Sequence, residues 1–147
     1  MIIDTGMWGQ VEVQEDAVYV FEKGLPGFEE EHRFALIEAE YPFAYLQSLQ
    51  DKELAFVVAD PFTFYPEYDF ELPEYEVREL ELGEEVIVRC ILTLKEQPDD
   101  SSINLLAPVV MNPQQRLGKQ IILHHTSYRA RHSLIRSEQA SEPKGGV

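Results

Sequence analysis

The sequence predicts a mainly β protein, built as a small antiparallel β-barrel-like or sandwich domain with one short helix. Its apolar residues recur at the period of two that is typical of half-buried strands more often than at a helical period. Turn-forming pairs that contain Gly, Pro, Asn or Asp interrupt the chain at short intervals, which leaves little room for long helices. A closed barrel and a two-layer sandwich both remove most exposed strand edges, so the pattern does not choose between them.

The expected strands of the first half are short and rich in aromatic or β-branched side chains, which suit a pleated surface. Polar and apolar residues first alternate at residues 8–13. Further strands are predicted at residues 17–21, 34–37, 43–49 and 54–59. Most of this half is therefore expected to be β structure.

The longest predicted strand covers residues 85–94, and its regular alternation is typical of a central strand. Its apolar face consists of Val86, Val88, Cys90, Leu92 and Leu94. The polar stretch that follows, residues 95–102, contains a proline and two aspartates, and residues 103–110 are apolar again. This succession predicts a hairpin.

A second hairpin is expected directly afterwards, where residues 109–111 and 119–123 lie on either side of a turn at 112–117. The two hairpins are predicted to form one antiparallel sheet. The single helix is predicted at residues 74–81, because strong helix formers dominate there and Pro73 suits a first helical turn.

The chain is predicted to fold as one domain over residues 1–132, followed by a flexible tail over residues 133–147. A length of 147 residues suits a single domain that buries a sizeable core. The end of the chain combines Ser, Glu, Pro and Gly without an apolar pattern, which is typical of an unstructured terminus.

The charge of the chain is strongly negative and unevenly distributed. Twelve Lys and Arg oppose 27 Asp and Glu, which gives a net charge of −15. The residues before position 88 carry 22 acidic and 4 basic side chains, or −18, and the remainder carries 5 acidic and 8 basic ones, or +3. An acidic surface repels nucleic acids and anionic lipids, so we expect no direct binding to either. It is either a solvated surface or one that suits a basic protein partner.

The cysteine content and the N-terminus favour a cytoplasmic protein. Cys90 is the only cysteine, which excludes an intrachain disulfide and a zinc site built from several thiolates. Its position within an apolar face predicts a core thiol rather than a nucleophile. No signal peptide and no apolar run of membrane-spanning length is recognised, so neither export nor membrane insertion is expected.

The sequence predicts no catalytic, cofactor-binding or metal-binding residues. His124 and His125 are adjacent, and in a strand their side chains would point to opposite faces. The chain contains no glycine-rich phosphate motif, no nucleophile elbow and no zincin motif. The enzymatic alternative is a small hydrolase that uses Asp60 or Asp69, and it would require a polar pocket with convergent carboxylates.

Aromatic and acidic residues are concentrated at residues 60–75, which we call the aromatic interval. Its 16 residues include six aromatics, three prolines and five carboxylates. Stiff aromatic surface loses little entropy on binding and therefore suits protein recognition. The same residues would also suit a loop whose rings complete the core, and the sequence favours neither interpretation.

Five separated motifs resemble the bacterial flagellar assembly factor FliW family. They are the opening MIIDT at 1–5, the turn GLPGF at 24–28, LAFVVADPF at 54–62, NLLAP at 104–108 and GKQIIL at 118–123. Residues 128–132, YRARH, are similar to the closing element of that family, whereas the residues that follow exceed its usual short ending. The resemblance extends from residue 1 to about residue 132.

The resemblance implies a β-barrel-like fold without catalytic activity and a regulator that switches between two protein partners in the cytoplasm. Members of the family bind newly made flagellin. When flagellin is exported, they bind CsrA, a dimeric RNA-binding repressor of translation, and relieve its repression of flagellin synthesis. The alternative within the same class is a secretion chaperone for another protein.

We predict that the partner surface combines the aromatic interval with the neighbourhood of Ile103. A flagellin helix with an unpaired apolar face requires an apolar groove, and a basic repressor suits carboxylates. The predicted partner-binding residues are Phe64, Tyr65, Glu67, Tyr68, Asp69, Phe70, Glu71, Leu72, Ile103 and Asn104.

Overall fold

The computed structural model describes residues 1–135 and confirms a mainly β fold. Two short α-helices and eleven strands lie within these residues. The elements are β1 (Ile2–Thr5), β2 (Gly9–Glu12), β3 (Val18–Val20), β4 (Arg33–Glu38), β5 (Phe43–Ser48), β6 (Ala55–Ala59), α1 (Pro61–Phe64), α2 (Glu74–Glu79), β7 (Ile87–Thr93), β8 (Ser102–Ile103), β9 (Val109–Asn112), β10 (Leu117–Gln120) and β11 (His132–Ser133). Short 3-10 turns occur at Glu15–Ala17 and Pro98–Asp100.

Seven strands close into a barrel. Strands β3 to β7 form an antiparallel meander, and β9 pairs antiparallel with both β10 and β7. The remaining seam is parallel, because Leu117 of β10 pairs with Val20 of β3. Of the two predicted architectures, the chain therefore adopts the closed barrel.

Strand β7 has three partners along its length. Its first residues pair with β9 and its last two with β8, whereas Cys90 and Ile91 pair with β6 on the other edge. Strand β11 adds to the free edge of β8. Residues 104–108 separate β8 from β9. The segment that pairs with this edge of β7 is therefore one extended run, residues 102–112, with an irregular centre.

The barrel interior holds the main core, and three smaller cores lie outside its wall. Phe21, Phe34 and Leu46 are fully buried inside. One outer core lies beneath the β1–β2 hairpin, one beneath the aromatic interval and one beneath α2. Gly118 of β10 is required for the interior packing, since a Cβ there would lie 2.5 Å from the ring of Phe21.

The predicted helix is present as α2, and the prediction of a single helix is corrected by α1. Asp60 Oδ1 accepts a hydrogen bond from the backbone N–H of Phe62 at 3.0 Å, and Pro61 occupies the first helical turn. An N-cap followed by proline therefore begins a helix inside the aromatic interval, where the sequence prediction placed none.

Two further details differ from the sequence prediction. Val86 and Leu94 were assigned to the apolar face of the long strand, but they are 41% and 55% exposed because β7 covers only Ile87–Thr93. The predicted domain end at residue 132 falls inside β11, and Leu134 is buried. Residues 136–147, most of the predicted tail, lie outside the described residues.

Candidate functional site

The aromatic interval packs most of its rings against the barrel wall. Phe64, Tyr65 and Phe70 are half-buried against the outer core that contains Tyr68. Tyr68 is only 3% exposed, and its Oη donates a hydrogen bond to the carbonyl oxygen of Leu105 at 2.8 Å. Burial raises the pKa of the Tyr68 phenol. These rings complete a core, which is one of the two roles that the sequence left open.

The same rings hold the C-terminal element of the domain in place. Tyr65 Oη donates to the carbonyl oxygen of Ser133 at 2.6 Å, and Tyr128 Oη accepts from the backbone N–H of Asp69 at 3.2 Å. The rings of Tyr68 and Tyr128 meet edge to face with centroids 4.8 Å apart. Two hydrogen bonds and one ring contact therefore hold the aromatic interval against residues 128–133.

The predicted partner-binding residues divide into buried and exposed groups. Ile103 is fully buried and Tyr68 nearly so, and the half-buried Leu72 packs beneath α2. The exposed members are the three carboxylates Glu67, Asp69 and Glu71. Partner contact at this surface would therefore be mainly acidic.

Asp69, Phe70 and Glu71 lie together on one cavity of about 410 Å³, which we call the acidic cavity. It is lined by Asp69, Phe70, Glu71, Pro73, Tyr75, Glu76, Ile121, Ile122, Leu123, His124, His125 and Thr126. Its apolar lining includes Ile121, Ile122 and Leu123, and its carboxylates are Asp69 and Glu71 before α2 and Glu76 within α2. No salt bridge involves Asp69 or Glu71 among residues 1–135.

The third carboxylate of the acidic cavity, Glu76, forms a salt bridge with Lys119. Lys119 Nζ lies 2.7 Å from Glu76 Oε1 and 2.6 Å from Glu79 Oε1, and Lys23 adds a contact of 3.1 Å to Glu79. Burial lowers the pKa of Lys119, but its hydrogen bonds to the two carboxylates outweigh this and raise the pKa overall. Hydrogen bonds from Lys119 and Lys23 lower the pKa of Glu79. This charge cluster fastens α2 to the barrel and thereby shapes the cavity.

Asn104 lies on a second cavity, of about 370 Å³, which we call the barrel-mouth cavity. It is lined by Leu25, Pro26, Phe56, Ile91, Asn104, Leu106, Ala107, Gln120 and Ile122. Leu25 belongs to the interior core, and Phe56 and Ile91 pack against it. Four of the five sequence motifs contribute to this lining, which includes no ionisable side chain.

Ile122 belongs to both cavities and is 54% exposed. The sequence prediction named Ile103, which is buried, and did not name the exposed Ile122. The sequence feature that could have indicated this position is the set of motifs at residues 24–28, 54–62, 104–108 and 118–123. The fold brings these motifs together around one cavity. Their distance in sequence concealed their proximity.

The residues considered as catalytic candidates either lie apart from one another or take part in structural hydrogen bonds. Asp60 caps α1 and accepts a hydrogen bond from Tyr41 Oη at 2.5 Å, whereas Asp69 lies on the acidic cavity, whose lining does not include Asp60. Burial raises the pKa of the Cys90 thiol to about 12. His124 and His125 both line the acidic cavity, because the chain has left its strand and His125 adopts a positive φ of 56°.

Residues 1–135 contain no group of three or more His, Cys, Asp or Glu side chains arranged to hold a metal ion. No helix in the same range is long and apolar enough to cross a bilayer.

Comparison with known proteins matches residues 2–134 to the model of one family, described as FliW protein. A relative named flagellar assembly factor FliW from Bacillus licheniformis is 46% identical, with 87% of this chain and 92% of that protein covered. Proteins with the same name from Bacillus subtilis strain 168 and Desulfitobacterium hafniense strain Y51 are 38% and 40% identical, and the match covers 91% and 99% of this chain and 96% and 99% of theirs.

One solved structure shares the whole architecture. A crystal structure of the flagellar assembly factor FliW superposes with a TM-score of 0.85 at 37% identity. The match covers 94% of this chain and 99% of that one.

Proposed function

The chain belongs to the FliW family of flagellar assembly factors, and on that premise we propose that it binds flagellin and antagonises the translational repressor CsrA in the cytoplasm. The protein holds flagellin while it is abundant and binds CsrA once flagellin has been exported. It acts through contact with its partners and not through a reaction. The name of its relatives, flagellar assembly factor, supports a flagellar protein as the first partner, and the resemblance of its motifs to the family supports the second.

The acidic cavity is the observation that carries the CsrA half of the proposal. Asp69 and Glu71 are exposed and line this cavity together with apolar side chains, and neither is neutralised by a salt bridge within residues 1–135. A basic RNA-binding protein is attracted to such a surface, and complementary charge speeds encounter and discriminates against wrong partners. Glu67, next to this segment, extends the acidic surface.

Two physical routes lead from this contact to loss of CsrA activity. The carboxylates either occupy the RNA-binding surface in place of phosphates, or dock beside it and change CsrA allosterically. The resemblance to the family implies noncompetitive inhibition of CsrA, which favours the second route. The acidic first half of the chain adds short-range repulsion of RNA phosphates in either case.

The proposal is tested with purified CsrA and the paired substitution Asp69→Asn/Glu71→Gln. Its matched control is Glu96→Gln/Asp99→Asn, which also removes two exposed carboxylates but lies outside both cavities. We expect the association rate constant at low salt to fall about tenfold for the first pair and less than about twofold for the control. Stopped-flow fluorescence at several salt concentrations measures both.

Three results would each contradict a different part of the proposal. Equal rate constants for the two paired variants would place the CsrA contact elsewhere on the chain. Absence of binding by the unmodified protein to both CsrA and flagellin would reject the proposed function. Capture of a different secreted protein from cell extract, with neither expected partner present, would favour the chaperone alternative.

A further inference from the structure

The barrel-mouth cavity differs in chemistry from the rest of the surface. The chain carries a net charge of −15, yet the lining of this cavity consists of apolar side chains and the two amides Asn104 and Gln120. An ion gains nothing from such a site, because burial without a counter-charge costs free energy. The occupant that suits it is an uncharged apolar face.

The walls of the barrel-mouth cavity are already fixed by hydrogen bonds. Asn104 Oδ1 accepts from the backbone N–H groups of Leu106 and Ala107 at 3.1 and 3.0 Å. Gln120 Nε2 donates to the carbonyl oxygen of Ala107 at 3.0 Å, so both amides of the lining are engaged with one turn. The N–H of Leu123 donates to the carbonyl oxygen of Leu106 at 2.9 Å and joins the two walls. A preformed site avoids the entropic cost of ordering its own loops on binding.

The two cavities adjoin at a single side chain. Ile122 lines the uncharged barrel-mouth cavity on one side and the acidic cavity on the other. Because this side chain is 54% exposed, a protein segment seated in either cavity covers part of the same wall. Two partners with different chemistry would therefore meet at Ile122.

We infer that the barrel-mouth cavity docks the apolar face of the flagellin terminal helix, while the acidic cavity receives the basic partner. This inference rests on the proposed function and adds a location to it. An amphipathic helix places an apolar stripe on an apolar groove, and its polar side stays in water. Steric overlap at Ile122 then excludes simultaneous occupation, which gives the partner switch a physical basis.

The test is titration calorimetry of purified monomeric flagellin with the full chain and three variants. Ile122→Glu puts a charge at the shared wall, and Ile122→Ala only shortens the side chain. Leu94→Glu is the matched control, because Leu94 is 55% exposed and lies outside both cavities. We expect Kd for flagellin to rise at least about 30-fold for Ile122→Glu, about fivefold for Ile122→Ala and less than twofold for Leu94→Glu.

The acidic pair provides the crossed comparison. Asp69→Asn/Glu71→Gln is expected to leave Kd for flagellin within about twofold while it slows association with CsrA. Saturating flagellin is expected to abolish binding of CsrA to the unmodified protein. Urea unfolding midpoints of the variants identify any that fail to fold, and Ile122→Ala keeps the test valid if Ile122→Glu is one of them.

Each of the other outcomes would contradict a specific part of the inference. Unchanged flagellin binding by both Ile122 variants overturns the location alone, since the unmodified protein still binds. A ternary complex of the chain with flagellin and CsrA overturns exclusion at Ile122. A change in self-association of the Ile122 variants, with flagellin binding unaffected, assigns the cavity to a second copy of the chain. Failure of the unmodified protein to bind flagellin overturns the inference together with the flagellin half of the proposed function.

Discussion

Replacing Lys119 with Met is expected to loosen α2 and to destabilise the domain by about 3 kcal/mol. Its Nζ atom lies 2.7 Å from Glu76 Oε1, and the side chains of Lys119 and Glu76 are only 19% and 7% exposed. Removal of the ammonium leaves a buried carboxylate without its counter-charge, which costs far more than loss of an exposed pair. For a domain of this length we expect a fall in Tm of about 6–12 °C. Thermal unfolding followed by circular dichroism measures this shift.

Two further variants separate the buried charge from the rest of the cluster. The paired change Lys119→Met/Glu76→Gln removes both buried charges and is expected to recover at least about half of the lost stability. Glu79→Gln is expected to cost about 0.5 kcal/mol near neutral pH, since Glu79 is 34% exposed. Because its folded pKa is lowered, the contribution of Glu79 is present above its ordinary pKa of 4.5 and is lost as pH falls through the lower folded value. Equal stabilities of the unmodified protein and Lys119→Met would refute this reasoning.

Three other substitutions or treatments have defined outcomes. Gly24→Ala is expected to destabilise the domain by about 2 kcal/mol in urea unfolding, because φ is +64° and a Cβ would lie 2.5 Å from the carbonyl oxygen of Phe28; an unchanged midpoint would contradict this. Tyr68→Phe is expected to cost about 1.5 kcal/mol, since the Leu105 carbonyl loses its buried donor, and a loss below about 0.5 kcal/mol would show that the hydrogen bond contributes little. Cys90 is expected to react with a thiol reagent only after unfolding, because the native thiol is buried and its pKa is raised to about 12; rapid labelling of the native protein would contradict this.

Local parts of the fold were predictable from sequence because their signals are local. The hairpin of β7 and β8 was expected from a polar turn between two apolar runs, and Leu92 does pair with Ile103. The helix at α2 was likewise expected from its composition and from Pro73. The strands of the meander were expected from the period of two, with ends that differ by one or two residues.

The long-range parts were not predictable, since an alternating pattern does not name its partner. The parallel pairing of Leu117 with Val20 closes the barrel, and nothing in either segment specifies the other. Aromatic density at the interval was equally compatible with a core and with a binding surface. Burial of Tyr68 at 3% exposure shows that packing accounts for at least this ring. Ile122 lines both cavities because the fold brings separated motifs together, and no single motif indicates this position.

The parallel seam between β3 and β10 has a consequence for the order of events during synthesis. The strand at Val18–Val20 is separated from its neighbour at Leu117–Gln120 by residues 21–116, so the two can pair only after that intervening segment has been translated. Such high contact order slows folding and delays the last closure until late in translation. In the sequence, Leu106 precedes β10 and Ile122 follows it. The barrel-mouth cavity that they line is therefore incomplete in a nascent chain until this part has been translated. A partially translated copy therefore lacks the complete opening that the proposed flagellin contact requires.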